Sequence, residues 1–196
     1  MKNQIIIRPI KEIDYYKALI LSSGVHNLFL PMKFQFQKRG GEHIVREYFV
    51  NTDKFIRLDD FISREKIDIW DLADISVQLI EGIYESMYRY IFPFEYIVSR
   101  ETIYLSKDKK LKLLFMPINS RIEQINDIKD LISSKVDFLI YEFSKHLDER
   151  DCNGLKTVKT ILKEEKDIEG VIRKLNMFKK NIWRQEHGKI SRTIAL

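Results

Sequence analysis

Cysteine, glycine and proline are scarce in this sequence, with one Cys, seven Gly and four Pro among 196 residues. The lone Cys152 cannot form an internal disulfide, which excludes a disulfide scaffold and fits a reducing compartment. So little Gly and Pro excludes a collagen-like or low-complexity chain. No apolar run approaches the roughly 18 residues of a membrane helix, and no export signal is recognisable at the N-terminus. We therefore expect a soluble, cytoplasmic protein, with the inner face of the membrane left open as its location.

The sequence also lacks the motifs by which metal and catalytic sites are usually recognised. Its four histidines lie far apart, at His26, His43, His146 and His187. There is no second cysteine, no H-E-x-x-H and no G-x-S-x-G. The pair Gly40-Gly41 lies in a turn without the spacing of a phosphate-binding loop. We expect no metal and no cofactor, although a small enzyme whose active site is assembled only by folding stays open.

Aromatic residues are abundant, with 12 Phe, 9 Tyr and 2 Trp in a chain that is 44% apolar. Side chains of this size can fill a core without help from disulfides or metals. The composition therefore predicts one globular domain.

Positive charge is concentrated at the end of the chain. The net charge is +5, yet residues 171–196 hold seven basic residues against one acid, and residues 1–170 hold 27 basic and 28 acidic residues. Two interpretations stay open for residues 181–196, which we call the basic tail. It either follows a charged final helix as a frayed terminus, or belongs to a basic amphipathic segment, 176–192, that contacts nucleic acid, an anionic membrane surface or a protein partner. The candidate contact residues are Lys179, Lys180, Trp183 and Arg184.

Hydrophobic periodicity predicts an α+β order of elements. Strand-like segments are predicted at 5–8, 33–37, 43–50, 96–98, 102–105 and 111–115. Helices are predicted at 11–22, 59–63, 68–90, 127–147 with a break near Ser133, 155–163 and 168 to about 180. Asp68 and Asp167 are the predicted N-caps of two of these helices. The result is a β-containing part of about 55 residues followed by a mainly helical remainder with a small strand cluster.

The order of these elements resembles that of protein kinases. His26-Asn27-Leu28-Phe29-Leu30, the strand 43–50 and the segment 56–62 resemble the stretch from the end of helix C through strands 4 and 5, the hinge and helix D. The long helix 68–90 then stands where kinase helix E would be. Residues 96–105 and 107–115 look like the catalytic-loop hairpin that leads into the D-F-G motif.

On this alignment the chemical groups of a kinase are missing. Phosphoryl transfer needs an Asp to accept a proton, an Asn and an Asp to hold Mg²⁺, and a Lys for the phosphates. Ile97 stands at the catalytic Asp, Thr102 at the metal-binding Asn and Phe115 at the D-F-G Asp. Arg8 falls near the Lys position. The resemblance therefore implies an inactive domain with no nucleotide chemistry.

The fuller pattern is similar to the uncharacterised bacterial domain that precedes forkhead-associated domains, and to the pseudokinase part of the membrane component of type VII secretion. The resemblance is carried by Leu30-Pro31, the block 102–105 and Met116-Pro117. It implies a trimmed two-lobed kinase-like domain over 1–180, with lobes at about 1–55 and 56–180, and a non-catalytic role in protein interaction or regulation in bacterial signalling or secretion. The alternative is a protein that binds nucleic acid or an anionic surface through the basic tail.

Overall fold

Two small antiparallel sheets and six α-helices make up the described part of the chain, which confirms the α+β class. The computed structural model describes residues 4–9, 12–25, 27–118 and 127–193, with side chains as far as Arg184. The strands are β1 Gln4–Ile7, β2 Met32–Arg39, β3 Glu42–Asn51, β4 Phe55–Arg57, β5 Ile103–Ser106 and β6 Leu111–Leu113. The helices are α1 Tyr15–Ser22, α2 Leu58–Arg64, α3 Ile69–Met87, α4 Ile128–Ser144, α5 Cys152–Glu164 and α6 Ile168–Thr193.

The first sheet has the order β1-β3-β2, and its β2–β3 hairpin was expected from the alternating sequence. Gly40 and Gly41 turn the chain with φ angles of 59° and 93°, a region that glycine enters without a steric penalty. Phe34 pairs with Tyr48 across the hairpin, and their rings stack at 5.1 Å. This pairing directs the Tyr48 side chain into the core, where it is fully buried.

The second sheet, ordered β4-β5-β6, differs in part from the expectation. Strand β4 is only three residues long and was not predicted, while residues 96–98 form no strand beyond a single bridge from Tyr96 to Pro117. Leu30 donates its N–H to the Leu113 carbonyl at 2.9 Å and so extends the sheet. Very short strands carry too few residues for a period of two to be recognised.

Helix α3 lies at the centre of the molecule, as its apolar residues on all sides predicted. Asp68 and Asp71 form a reciprocal capping box at its start. Gly82 allows the segment before β2 to approach closely, because a Cβ added there would lie 2.7 Å from Leu28 Cδ1. The buried apolar side chains of the described residues form one connected core from Ile13 to Leu175.

Several details of the predicted helices were wrong. Helix α1 begins at Tyr15, where the Asp14 side chain caps it, rather than at residue 11. Helix α4 continues through Ser133 without a break. Helix α6 continues to Thr193, well past residue 180, whereas the predicted Asp167 cap is confirmed by its hydrogen bond to the Gly170 N–H.

The division into lobes at about residue 55 stays a prediction. None of the helices described is both long enough and apolar enough to cross a membrane.

Candidate functional site

Four aromatic side chains fill the place where the kinase-like alignment would put the chemistry. We call Phe29, Tyr48, Tyr96 and Phe115 the aromatic junction; each is at most 3% exposed. Phe29 meets the Tyr96 ring edge-on at 5.1 Å and the Phe115 ring edge-on at 5.4 Å. These are favourable geometries for aromatic pairs, so the junction is part of the packed core.

Tyr48 joins the first sheet to the junction through a hydrogen bond. Its hydroxyl donates to the backbone carbonyl of Phe115. Burial raises the pKa of Tyr48, because an ionised phenol would be poorly solvated there. The hydroxyl therefore acts as a fixed donor over the physiological pH range.

The three predicted kinase positions do come together around this junction, yet they make structural contacts. Thr102 Oγ1 accepts a hydrogen bond from the Ser99 N–H at 2.8 Å and lies 3.1 Å from the Ile97 carbonyl oxygen. The Ile97 N–H donates to the Met116 carbonyl at 3.2 Å. The Phe115 side chain is 1% exposed. These hydrogen bonds hold the loop 96–102 in place, and none of the three side chains offers a carboxylate to a substrate.

Charged side chains fix the same loop from outside. Arg100 Nε lies 3.1 Å from Glu142 Oε2 on α4 and 3.2 Å from Asp59 Oδ1 on α2. Burial pushes the pKa of Glu142 upward, but hydrogen bonds from Arg100 and Lys145 outweigh this effect and hold the pKa below its usual value. The loop is thus tied to two helices through one guanidinium group.

Lys135 of α4 also contacts the loop 96–102, at Tyr96 of the aromatic junction. Its Nζ donates to the Tyr96 carbonyl at 3.1 Å and lies 5.2 Å from the centre of the Tyr96 ring. Burial of the ammonium group lowers the pKa of Lys135 to about 8. Sequence analysis did not single out this residue, because nothing local distinguishes it from other helical lysines.

A small cavity of about 220 Å³ opens beside the junction. Its charged lining is Glu12, Asp14, Lys17 and Glu95, and Lys17 forms an ion pair with Glu95. Ligand pockets usually measure about 300–1,000 Å³. The cavity is smaller than that, and its three carboxylates against one ammonium group disfavour a polyphosphate. Arg8 lies elsewhere, 3.4 Å from Glu47 and largely exposed.

The four predicted contact residues of the C-terminal region line a groove between α3 and α6. We call Trp70, Asn176, Lys179, Lys180, Trp183 and Arg184 the α3–α6 groove; its volume is about 360 Å³. Lys179 forms an ion pair with Asp74 and lies 5.2 Å from the Trp70 ring centre. Trp70 was missed by sequence analysis, although the Asp68 cap already placed it in the first helical turn. The groove residues 176–184 therefore lie on helix α6, which packs against α3.

Among the residues whose side chains are described, no three His, Cys, Asp or Glu groups come together in a way that could hold a metal ion. His43 is exposed and its ring stacks on Tyr15 at 5.3 Å, and His146 is exposed on the surface. Cys152 is an exposed free thiol. His26 and the His187 side chain lie outside the described part of the structure.

No model of a protein family matches the chain, and a search of curated proteins found no significant match.

Proposed function

We propose that this chain is a non-catalytic, kinase-like module that works by binding another protein in a bacterial signalling or secretion-related system. The observation that carries the proposal is the burial of Phe115, the residue aligned with the metal-binding Asp of a kinase, within the aromatic junction. A phenyl ring cannot coordinate a hard cation such as Mg²⁺, which requires oxygen ligands.

The surroundings of Phe115 support the same proposal. A site for Mg·ATP needs an open cleft and positive groups for the phosphates. The cavity beside the junction is instead small, about 220 Å³, and rich in carboxylates, with Lys17 already paired to Glu95. The Thr102 hydroxyl and the Ile97 backbone N–H and carbonyl are already engaged in hydrogen bonds within and next to the loop. The region around Phe115 is filled by packed side chains and loop hydrogen bonds. This arrangement supports a role in binding a protein partner rather than in nucleotide turnover.

The decisive test is nucleotide turnover by the purified full chain. We expect no ADP above the blank when the chain is incubated with ATP and either Mg²⁺ or Mn²⁺. We also expect no change in thermal midpoint on adding Mg·ATP, because a ligand that binds the native state would raise it. An active protein kinase assayed in parallel provides the positive control.

A contaminating kinase must be distinguished from the chain itself. Thr102→Val keeps the shape of the side chain and removes its hydroxyl, and circular dichroism would confirm that the variant is folded. Mg²⁺-dependent ATP turnover that co-elutes with the chain and is lost in Thr102→Val would contradict the proposal.

A further inference from the structure

The α3–α6 groove is built from one face of a helix. Asn176, Lys179, Lys180, Trp183 and Arg184 follow the i, i+3, i+4, i+7, i+8 spacing that places residues side by side on a helix. Helices α3 and α6 run antiparallel, because Lys179 pairs with Asp74 near the start of α3 while Glu169 lies near Tyr84 towards its end. The opposite wall of the groove is therefore supplied by Trp70, in the first turn of α3.

The groove exposes apolar surface that a partner would cover. Trp183 is 55% exposed although it lines the same concave surface as the half-buried Trp70. Tryptophan is enriched among the residues that dominate binding energies at protein interfaces, where an apolar side chain of the partner fills the space beside it. An apolar anchor seated in this groove would remove part of the exposed Trp183 surface from water.

The positive charge on the rim of the groove favours an acidic partner. Lys179 is neutralised by Asp74, but within the described residues no ion pair involves Lys180 or Arg184. These two cations lie one helical turn apart on the rim, while residues 1–170 have almost no net charge. The complementary ligand therefore carries carboxylates close to its apolar anchor.

We propose that the α3–α6 groove is the docking site for an acidic peptide segment with a central apolar or aromatic side chain. The inference rests on the proposed function as a protein-interaction module and names the surface and the chemistry of the partner. Nucleic acid fits the groove less well, because a polyphosphate gains its affinity from several uncompensated cations, and among the described lining residues only Lys180 and Arg184 are cations outside an ion pair. A membrane fits less well because the two indole rings line a concave groove rather than a projecting face.

Selection from a random 12-residue peptide display library on the full chain tests this inference. We expect the enriched peptides to be acidic and to contain a Trp, Phe or Leu. A fluorescein-labelled enriched peptide should bind the chain in an anisotropy titration. Binding should weaken at least about tenfold in the double variant Lys180→Glu/Arg184→Glu and in Trp183→Ala, which corresponds to about 1.4 kcal/mol or more.

Matched controls separate the groove from general charge. Lys33→Glu/Lys156→Glu makes the same change of charge at two exposed lysines on β2 and α5, and it should leave the affinity within about twofold. Trp183→Phe keeps an aromatic ring and should retain more affinity than Trp183→Ala. Circular dichroism would show that each variant keeps the native helix content.

Several outcomes would overturn the inference. They are the absence of any enriched peptide, enrichment without acidic residues, and equal weakening in the groove and control variants. Tighter binding of a 20-nucleotide oligothymidine or of phosphatidylglycerol vesicles than of the peptide, lost in the groove variants, would assign the groove to those ligands instead. None of these results bears on ATP turnover, so a failed docking site leaves the non-catalytic proposal intact.

Discussion

Lys135 shows how a single residue acquires unusual chemistry from its surroundings. On α4 it is one lysine among many, but folding places its ammonium group against the Tyr96 ring and carbonyl, where burial lowers the pKa to about 8. An unfolded chain would hold the proton up to a pH of about 10.4. Between these values the unfolded state binds more protons than the folded state, so the free energy of unfolding should rise with pH in that window.

We predict that Lys135→Met removes this pH dependence. The wild-type free energy of unfolding, measured by urea titration, should gain about 1–2 kcal/mol relative to the variant between pH 8 and 10.5, after allowance for partial exposure of the group. Well below pH 8 the difference between the two proteins should be constant, because Lys135 is then protonated in both states. Lys156→Met, at an exposed position of α5, is measured in parallel as the control for loss of a lysine. A flat difference for Lys135→Met would mean that its ammonium group is well solvated.

At the scale of elements, the contacts of α3 with its neighbours decide how the strands and helices assemble. Gln78 accepts a hydrogen bond from the Leu111 N–H at 2.9 Å and donates to the Lys109 carbonyl at 3.1 Å. Lys109 Nζ lies 2.6 Å from Asp71 Oδ1. Burial raises the pKa of Asp71 even though the Lys109 hydrogen bond opposes it. Side-chain contacts from α3 thus hold the β5–β6 hairpin.

Gly82 lies where the segment around Leu28 packs closely against α3, and a substitution there tests how tight this contact is. Alanine is favoured over glycine in a helix by about 1 kcal/mol. Here, however, the new Cβ would lie 2.7 Å from Leu28 Cδ1 and 3.2 Å from Leu28 Cβ, so rotating the Leu28 side chain cannot relieve the whole overlap. We expect Gly82→Ala to lower the free energy of unfolding by about 1–3 kcal/mol.

Chemical denaturation of Gly82→Ala beside Glu81→Ala, an exposed position on the same helix, would measure this effect. The control should change stability by less than about 0.5 kcal/mol. A gain of about 1 kcal/mol in Gly82→Ala would show that the Leu28 segment moves aside at little cost.

For the whole molecule, α6 ties the C-terminal region to the core instead of leaving it as a separate tail. The helix passes the boundary at residue 180 without interruption, and Ile182 packs against the core beyond it. The distinction between body and basic tail, drawn from charge alone, therefore does not coincide with the end of a structural element.

Two deletions test whether residues 181–184 stabilise the fold or belong to a tail without structural role. Removing 181–196 takes away Ile182 and Trp183, whereas removing 185–196 keeps both. We expect the longer deletion to lower the thermal midpoint by about 2–4 °C relative to the shorter one, since roughly 1 kcal/mol of burial is lost in a chain of this size. Equal midpoints would restore the description of 181–196 as a tail without structural role.

Sequence patterns determined much of the fold because their physical causes are local. Asp68 and Asp167 cap helices through short-range hydrogen bonds, and the alternating residues of β2 and β3 predict a hairpin around Gly40-Gly41. The candidate site was located in the same way, since the α6 residues Lys180 and Arg184 stood out by their local charge. Helix ends without a strong local stop signal, such as that of α6, were placed wrongly.

Which of these residues come into contact depends on the tertiary fold. Trp70 and Trp183 are more than a hundred positions apart, and so are Asp74 and Lys179, yet each pair is brought together by the antiparallel packing of α3 and α6. Likewise, the sequence shows that position 115 carries a phenyl ring instead of a carboxylate. It does not show that Phe29 and Tyr96 pack against this ring in the folded chain. The physical reason is that capping and periodicity act over a few residues, whereas burial and the pKa shifts it causes depend on the whole packed chain.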